Sequence, residues 1–391
     1  MSPLPFYTSR FSSLLAACIL ALAVTACSDD GDDTGGDPPV DAAPVPDAEP
    51  TPDAAPLRST GFVVAGDFLS GTGVASTISV PDLTVTQNVI AGVASDDPVV
   101  RHIGDTIYII NRFEHDNITR IDASTFALID QISTGPGTNP QDVAVAGDKL
   151  YVAALGAPGI ITIDAQGTLG SIDLSGLDPA DGIPDCNSIY LVESTLVVSC
   201  GLLNNFVPSG PGRVALIDTA DDSVVGDFAL TTPNPIGLLR ATPSGSRLAG
   251  ALLVATYDFN DLTQGCVERI SVDPVIESAG CLIDNSVLGG YATGLAHGPE
   301  EQLYIAVTTG FDAQGVVAQA RLFDVSTGQL APEPVSGPDE QTFDVTLCPT
   351  GEMLFADGNG GIRVYDAAGA QLTQDVLDVG LPPVGNGMVC F

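Results

Sequence analysis

The side chains best suited to chemistry in this sequence are acids, amides and a few bases that stand in short polar segments. They are Arg112, Glu114, His115 and Asp116 in the segment 111–117, followed by Asn139, Gln141, Asp142, Asp185, Asn187, Asn234, Asp258, Asn260, Asp261, Asp357, Asn359 and Asn386. Such groups can bind a polar ligand through hydrogen bonds and charge. Glu114 and Asp142 could also hold a divalent metal ion and serve a hydrolase.

The familiar catalytic motifs do not occur in the sequence. There is no Gly-x-Ser-x-Gly nucleophile elbow, and no Gly-x-Gly-x-x-Gly motif follows a predicted strand. Lys149 is the only lysine, so a lysine-containing phosphate loop with its usual spacing is not available. The three histidines are scattered and no Cys-x-x-Cys occurs, which argues against a zinc cluster. The sequence therefore identifies no catalytic residue.

Composition limits both the fold and the partners. The 391-residue chain is 45% hydrophobic and contains 43 glycines, 29 prolines and no tryptophan, which favours short strands and tight turns over helices. Its 49 acidic and 12 basic residues give a formal net charge of -37. Nucleic-acid binding depends on lysine and arginine to displace counterions, so nucleic acid is not an expected partner.

The polar segments lie between strands of a pattern that recurs along the chain. Seven apolar runs predict the first strand of each unit: 61–65, 105–110, 148–152, 194–198, 247–251, 302–306 and 353–356. The second strand of each unit ends at or near an aspartate, which favours the following turn: Asp82, Asp122, Asp164, Asp218, Asp273, Asp324 and Asp366. The spacing of these aspartates, 40 to 55 residues, is typical of propeller blades or a solenoid.

Two further strands complete each unit, as in 128–132 and 141–145. Four antiparallel strands per unit without a helix predict an all-β, seven-bladed β-propeller. The final stretch, 384–391, matches the innermost strand that precedes every other unit, so we expect it to pair with the first blade and close the ring without an open sheet edge. In such a ring the candidate side chains would gather at one mouth of the central channel.

The unit that starts at Asp148 also resembles a known repeat. Its segments LYVA (150–153), ITID (161–164) and NPQDVAVAGD (139–148) are similar to the YVTN-type repeat of seven-bladed β-propellers. The resemblance covers residues 61–391 and weakens in the unit that starts at Arg247, while the lack of tryptophan argues against a WD40 array. It implies the propeller fold. Because the family includes surface proteins and enzymes, it implies no single activity.

Six cysteines lie in the predicted propeller, and an even number in an exported domain predicts disulfides. Two pairs lie symmetrically about predicted turns at Glu193 and Asp273, and the remaining pair would join the last blade to the first. The expected disulfides are Cys186–Cys200, Cys266–Cys281 and Cys348–Cys390.

The N-terminal region predicts export. Residues 1–26 contain an apolar run, 14–24, that is too short to span a bilayer and is typical of a signal peptide. LAVTAC at 22–27 resembles a bacterial lipoprotein signal, which implies that Cys27 is lipidated, with cleavage as an ordinary signal peptide as the alternative. Residues 27–58 are acidic and rich in Pro, Asp and Ala, and predict a disordered tether before a propeller domain at 59–391. Ser28 after the cysteine implies the outer membrane as destination, on its periplasmic face or at the cell surface.

A weaker metal signal lies in the segment 178–187, which resembles part of the aspartate-rich calcium loops of thrombospondin type 3 repeats. The candidate calcium ligands are Asp178, Asp181 and Asp185, because calcium prefers several oxygen ligands around a glycine turn. An acidic connection between strands is the alternative, and no other cofactor is expected.

These patterns predict a monomeric lipoprotein that contacts the membrane only through its lipid. We expect it to bind a protein, a glycan or a small polar molecule at the channel mouth, without catalysis. The alternatives are a lactonase-like hydrolase with a metal-assisted acidic site in the channel and a purely structural surface protein.

Overall fold

Short runs of β-branched and aliphatic residues form strands throughout the described part of the chain in this computed structural model. That part comprises residues 58–299, 301–312, 315–335, 341–358 and 360–391. In the strand Thr106–Asn111, for example, Ile107 to Ile110 are all buried, because neighbouring sheets cover both faces of the strand. The predicted signal peptide, Cys27 and the tether before Arg58 lie outside the described residues.

Each blade is a small antiparallel sheet built from strands that follow one another in the chain. The first three blades contain β1 (Thr60–Asp67), β2 (Thr72–Ser79) and β3 (Thr84–Thr86); β4 (Pro98–Ile103), β5 (Thr106–Asn111), β6 (Asn117–Asp122) and β7 (Leu128–Ser133); and β8 (Pro140–Ala146), β9 (Lys149–Ala154), β10 (Gly159–Ile163) and β11 (Leu169–Asp173). A single 3-10 turn, Ser175–Leu177, leads into the fourth blade.

The fourth blade contains β12 (Cys186–Val192), β13 (Thr195–Cys200), a small inserted hairpin of β14 (Leu203–Asn204) and β15 (Val207–Pro208), then β16 (Arg213–Asp218) and β17 (Ser223–Ala229). The fifth contains β18 (Arg240–Ala241), β19 (Ala251–Ala255), β20 (Cys266–Ser271) and β21 (Glu277–Asp284), followed by one helical turn, α1 (Asn285–Leu288). The sixth contains β22 (Tyr291–His297), β23 (Gln302–Asp312), β24 (Gly315–Asp324) and β25 (Gln329–Leu330).

The seventh blade and the ring closure involve the last strands of the chain. β26 (Thr342–Leu347), β27 (Met353–Asp357) and β28 (Gly361–Tyr365) form a three-stranded sheet, and isolated bridges from Ile362 to Leu377 and from Tyr365 to Gln371 continue its outer edge. β29 (Pro383–Cys390) then pairs with β1 and becomes the innermost strand of the first blade. The predicted seven-bladed ring, closed by the C-terminal strand, is confirmed.

The hydrophobic core is divided among the interfaces between blades. Seven clusters of buried apolar side chains each join one blade to the next, including one between the seventh blade and the first. That last cluster packs Val63 and Ile78 of the first blade against Leu354 and Ile362 of the seventh. Closure is therefore stabilised by buried apolar area as well as by strand pairing.

The predicted aspartate turns form in five of the seven blades. Asp122 Oδ1, for example, accepts hydrogen bonds from the backbone N–H groups of Ser124 at 3.0 Å and Thr125 at 2.8 Å. The same arrangement, with a carboxylate accepting from backbone N–H groups downstream, recurs at Asp164, Asp218, Asp324 and Asp366.

One predicted strand is wrong. The first strand of the fifth unit was expected at 247–251, but the structure has a turn up to Gly250, whose φ is +74°, and β19 starts at Ala251. Leu248 is buried from within this turn, and Ser246 Oγ accepts a hydrogen bond from its N–H at 3.0 Å. An apolar residue buried by a turn gave the same signal as a strand.

All three predicted disulfides are present: Cys186–Cys200, Cys266–Cys281 and Cys348–Cys390. The third joins β29 to the residue that follows β26, so it bonds the first blade to the seventh.

Candidate functional site

The alternation of strand direction divides the connections between two faces of the ring. We call one the loop face: it carries the segments that enter each innermost strand, such as 134–139, and those that join the second and third strands, such as 112–116. The other face is the turn face. With strands counted from the innermost one of each blade, it carries the hairpins between first and second strands and the aspartate turns between third and fourth strands. The predicted candidate residues outside the strands belong to the loop face.

Arg112 anchors a buried hydrogen-bond network under the loop face. Its guanidinium pairs with Asp97 and donates from Nη1 to Gln141 Oε1 at 3.3 Å. Gln141 in turn donates to the side-chain oxygen of Asn139 at 2.8 Å. Burial lowers the pKa of Arg112, and the Asp97 carboxylate opposes that shift. The structure thus brings three predicted residues together, and it uses them to fix loops.

The rest of the 112–116 segment divides into a buried and an exposed part. Asp116 is buried and accepts hydrogen bonds from the N–H groups of Gly137 at 2.6 Å and Asn139 at 2.7 Å, so it ties two loops together. Glu114 and His115 are exposed, and His115 Nε2 lies 2.9 Å from Asp96 Oδ1. Only the exposed pair is presented to a ligand.

Several predicted amides and acids recur at positions where the backbone has a positive φ. Asn139, Asp185, Asn234 and Asn386 all have φ between +45° and +61° near the start of an innermost strand. Asparagine and aspartate tolerate this left-handed conformation better than other residues with a side chain. Their repetition therefore reflects the way the chain enters each blade.

The remaining predicted residues are held by contacts within the protein. Asn187 donates to the carbonyl of Ile236 at 2.6 Å, and Asp357 accepts from Arg363 Nε at 2.9 Å. Asp258 accepts from the N–H of Asn260 at 2.8 Å within an exposed loop, where Asp261 also lies. Asn359 falls outside the described residues.

Two of the three candidate calcium ligands cap a local turn, and the third ties two loops together. Asp178 accepts from the N–H of Ala180 at 2.9 Å and Asp181 from that of Ile183 at 2.8 Å, whereas Asp185 accepts from Leu203 at 2.7 Å. Within the described ranges, the acid and sulfur atoms close enough to share an ion are those of Cys266, Glu268 and Cys281, and there the two sulfurs form a disulfide. Calcium binding stays a prediction.

A groove of about 440 Å³ lies beside Asp178 on the loop face. Its walls come from the connection before β12, the loop after β13 and the facing ends of β16 and β17. Arg213 and Asp227 form an ion pair in the groove wall. The groove offers a small polar ligand both charges and backbone groups.

A buried charged cluster at the ring axis was not foreseen in the sequence. A β-bulge occurs at the start of four innermost strands, at Gln141, Asn187, Thr293 and Phe343. A bulge adds one residue and re-aims the side chains that follow it. The residue directly after each bulge is Asp142, Ser188, Gly294 or Asp344.

The side chains that follow the bulges come from different blades, and they lie close together because the innermost strands surround the ring axis. Asp142 pairs with Arg101 at 2.7 Å and accepts from Ser188 Oγ at 2.8 Å, and Asp344 Oδ1 lies 3.7 Å from Arg240. A Cβ on Gly294 would lie 2.4 Å from the same Asp344 oxygen, so glycine is needed there. We call Arg101, Asp142, Arg240 and Asp344 the axial cluster.

Burial governs the electrostatics of the axial cluster. It lowers the pKa of Arg101 to about 10 and raises that of Asp344 to about 6, with the opposite charges nearby acting against both shifts. Asp142 is fully buried with Arg101, while Glu114 is exposed in a loop. The two acids considered for a hydrolase therefore do not face one substrate. The sequence signal for the cluster was the placement of two of only 12 basic residues within apolar innermost strands.

The loop face also carries a chain of aromatic rings, which the sequence reasoning missed. Phe206 contacts Phe259 edge to face at 6.4 Å, Phe259 contacts Tyr257 at 4.9 Å, and Tyr257 stacks on Tyr291 at 4.0 Å. The rings come from the fourth, fifth and sixth blades. The two tyrosines are buried, which raises the pKa of Tyr291 to about 12. The two phenylalanines face solvent, with 50% and 38% of their surface exposed.

Two more phenylalanines are exposed on the loop face, one in a loop and one near the end of strand β23. Phe113 in the second blade is 46% exposed and Phe311 in the sixth is 61% exposed. Phenylalanines in polar loops between second and third strands were the signal that could have found this surface.

Among the described residues, no helix has the length and hydropathy needed to cross a bilayer.

The sequence matches no protein-family model and no curated protein. Solved structures are similar in fold. A proposed 6-phosphogluconolactonase from Bacteroides fragilis is 13% identical with a TM-score of 0.56, covering 87% of this chain and 100% of its own. Apo AztD from Citrobacter koseri is 13% identical with a TM-score of 0.51, covering 85% of this chain and 98% of its own.

A second proposed 6-phosphogluconolactonase, from Bacteroides uniformis, is 14% identical with a TM-score of 0.51, covering 85% of this chain and 99% of its own. At such identities the comparison concerns architecture and leaves activity open. The seven sheets make this chain a seven-bladed β-propeller, and its fold is similar to that of these proteins.

Proposed function

We propose that this protein is a lipid-anchored, extracytoplasmic binding module that holds a protein or glycan partner against the aromatic surface of its loop face. The surface comprises the aromatic chain from Phe206 to Tyr291, and Phe113 and Phe311 are exposed on the same face. Aromatic side chains supply large contact area with little loss of conformational entropy on binding. The exposed acids and amides around them can orient a partner.

The observation that carries this proposal is the backbone at Phe206. Phe206 lies at the tip of the β14–β15 hairpin, where Asn205 and Phe206 have φ of +51° and +65°. A two-residue hairpin with both central residues in this region favours glycine at the second position. Phe206 contacts Phe259 edge to face but keeps half of its surface exposed at a backbone position that favours glycine, which supports a role in binding.

Export is supported indirectly. Three disulfides are typical of an oxidising compartment. Lipidation of Cys27, the tether and outer-membrane residence remain part of the proposal, and mass spectrometry of the mature N-terminus tests them: an unmodified first residue other than Cys27 would refute lipidation.

Site-specific photo-crosslinking tests the binding surface. A photoreactive benzoyl-phenylalanine replaces Phe259 in the full-length protein, which is irradiated in cells that export it. We expect a discrete crosslinked product whose yield falls several-fold when Phe206→Gly is added.

The matched control places the same photoreactive residue at Val225, which is 58% exposed on the outer strand β17. The control should give no discrete product. Equal products at both positions, or a product insensitive to Phe206→Gly, would show that the aromatic surface is not the binding site.

A further inference from the structure

The axial cluster has more hydrogen-bond donors than acceptors. Arg101 donates from Nε to Asp142 Oδ1 and from Nη1 to the carbonyl of Val100, each at 2.7 Å. Its Nη2 is buried without a hydrogen-bond partner. A buried guanidinium nitrogen left unpaired is costly, which makes a bound water or ion the usual explanation.

Arg240 also faces the cluster without a hydrogen bond to a carboxylate, although its side chain is partly exposed. Its closest carboxylate oxygen, Asp344 Oδ1, is 3.7 Å away, which is too long for a hydrogen bond. The carboxylates of the cluster are already engaged. Asp142 accepts from Arg101, Ser188 and the N–H groups of Val143 and Ile189.

Asp344 is held by backbone groups in the same way. It accepts from the N–H of Val345 at 2.9 Å and from that of Asn386 at 2.8 Å. Arg101 therefore needs a further acceptor, and Arg240 lies close enough to repel its charge, so an acceptor between the two guanidinium groups would serve both.

We propose that the axial cluster binds a small monovalent anion, such as chloride or formate, between Arg101 and Arg240. The ion is small because Arg101, Asp142 and Asp344 have no exposed side-chain surface. It enters from the side of Arg240, whose side chain is 17% exposed. This site is separate from the aromatic surface, so it stands or falls independently of the proposed binding function.

The charge of the cluster makes binding depend on pH. With both acids ionised, the two arginines and two aspartates are formally neutral. The charged groups that face Asp344 from other innermost strands are Arg240 on β18 and Arg101 on β4, and Asp142 on β8 lies across Arg101. Protonation of Asp344 leaves one net positive charge, which attracts an anion.

The sign of this dependence follows from the pKa of Asp344, raised to about 6 from the ordinary value near 4. The proton on Asp344 stabilises the folded state at low pH, and this contribution is lost as the pH rises through about 6. Anion binding draws on the same protonated form. Affinity at pH 5 should therefore exceed that at pH 7.5 on the order of tenfold.

Thermal unfolding of the full chain in sodium chloride and sodium formate tests the site. Sodium gluconate at equal ionic strength corrects for general salt effects, because gluconate is too bulky for a buried site. We expect a saturable rise in Tm with chloride or formate at pH 5, much weaker at pH 7.5.

Three variants locate the effect. Arg240→Gln should abolish the rise, whereas Arg247→Gln should keep it, since Arg247 is an exposed arginine of the turn face. Asp344→Asn should remove the difference between pH 5 and pH 7.5.

Crystals of the wild-type protein grown in sodium bromide provide a readout that does not depend on the folding of any variant. An anomalous bromide peak between Arg101 and Arg240 supports the proposal. Density that fits only water there, or an equal salt effect in Arg240→Gln, would overturn it.

Discussion

The turn face and the loop face of the ring differ in how uniform they are. On the turn face, the same carboxylate turn recurs at Asp122, Asp164 and three later aspartates. On the loop face, the connection between second and third strands varies from the short 155–158 to the long 201–212 with its own hairpin. The contrast indicates that one face specifies the fold, whereas the other is free to carry a partner surface.

The disulfides follow the same division. Cys348–Cys390 lies near the turn-face ends of β26 and β29 and closes the ring. Cys186–Cys200 and Cys266–Cys281 lie at the base of the loops that carry Phe206 and Phe259. The two longest connections between second and third strands are thus the ones braced by covalent bonds.

The largest expected effect comes from removing these bonds. Cys348→Ser with Cys390→Ser should lower the free energy of unfolding by about 4 kcal/mol, because this disulfide spans a separation of 42 residues. Photo-crosslinking at Phe259 should stay unchanged, because the disulfide lies on the opposite face. Cys186→Ser with Cys200→Ser should cost about 3 kcal/mol, as expected for a separation of 14, and also reduce crosslinking. Urea unfolding and the crosslink yield measure both. Loss of crosslinking in the ring-closure variant would contradict the division of roles.

A smaller effect is expected from a single turn. Asp122→Ala removes hydrogen bonds from the N–H and hydroxyl groups of both Ser124 and Thr125, and should lower Tm by a few degrees at pH 7. These bonds lower the pKa of Asp122 to about 2. Its contribution is therefore present above the ordinary aspartate pKa and is lost as the pH falls toward 2.

The control for this variant is Asp148→Ala, at an exposed aspartate in a neighbouring turn of the same face. It should leave Tm unchanged. If the two variants behave alike at pH 7, or if the Asp122 effect persists at pH 2, the carboxylate turn does not stabilise the fold.

The smallest expected effect on stability is at the loop face. Phe206→Gly should leave the free energy of unfolding unchanged or raise it by less than about 1 kcal/mol, because glycine suits the positive φ at that position. Urea unfolding of the variant checks this. A loss as large as that of a disulfide would mean that Phe206 serves the fold and not a partner.

Most of the fold could be predicted from the sequence because its determinants are local. The apolar strands, the aspartates that end the third strand of a blade and the symmetric cysteine pairs each depend on a few neighbouring residues. The failure at 247–251 has a local cause too, since Leu248 is buried from a turn. Ring closure was also predictable, because 384–391 supplies the one strand that the first blade lacks.

The site was less predictable because it depends on register and on distant blades. Asp142 was expected to offer its carboxylate to a ligand, but the bulge at Gln141 turns it toward Arg101, 41 residues away in sequence. Asn139 and Asn234 gave a functional signal that the structure traces to backbone conformation. A local pattern shows that a polar residue is needed, but it does not show whether the need is for folding or for binding.

The pairing of β29 with β1 also fixes the order in which the molecule can be completed. Thr60 and Phe391 exchange backbone hydrogen bonds at 2.7 and 3.1 Å. The sheet of β1 therefore gains its innermost strand only when β29 has been made. A chain that emerges N-terminus first must therefore keep β1 unpaired on that side throughout synthesis. Until β29 is made, that edge of β1 is open to pairing with neighbouring chains.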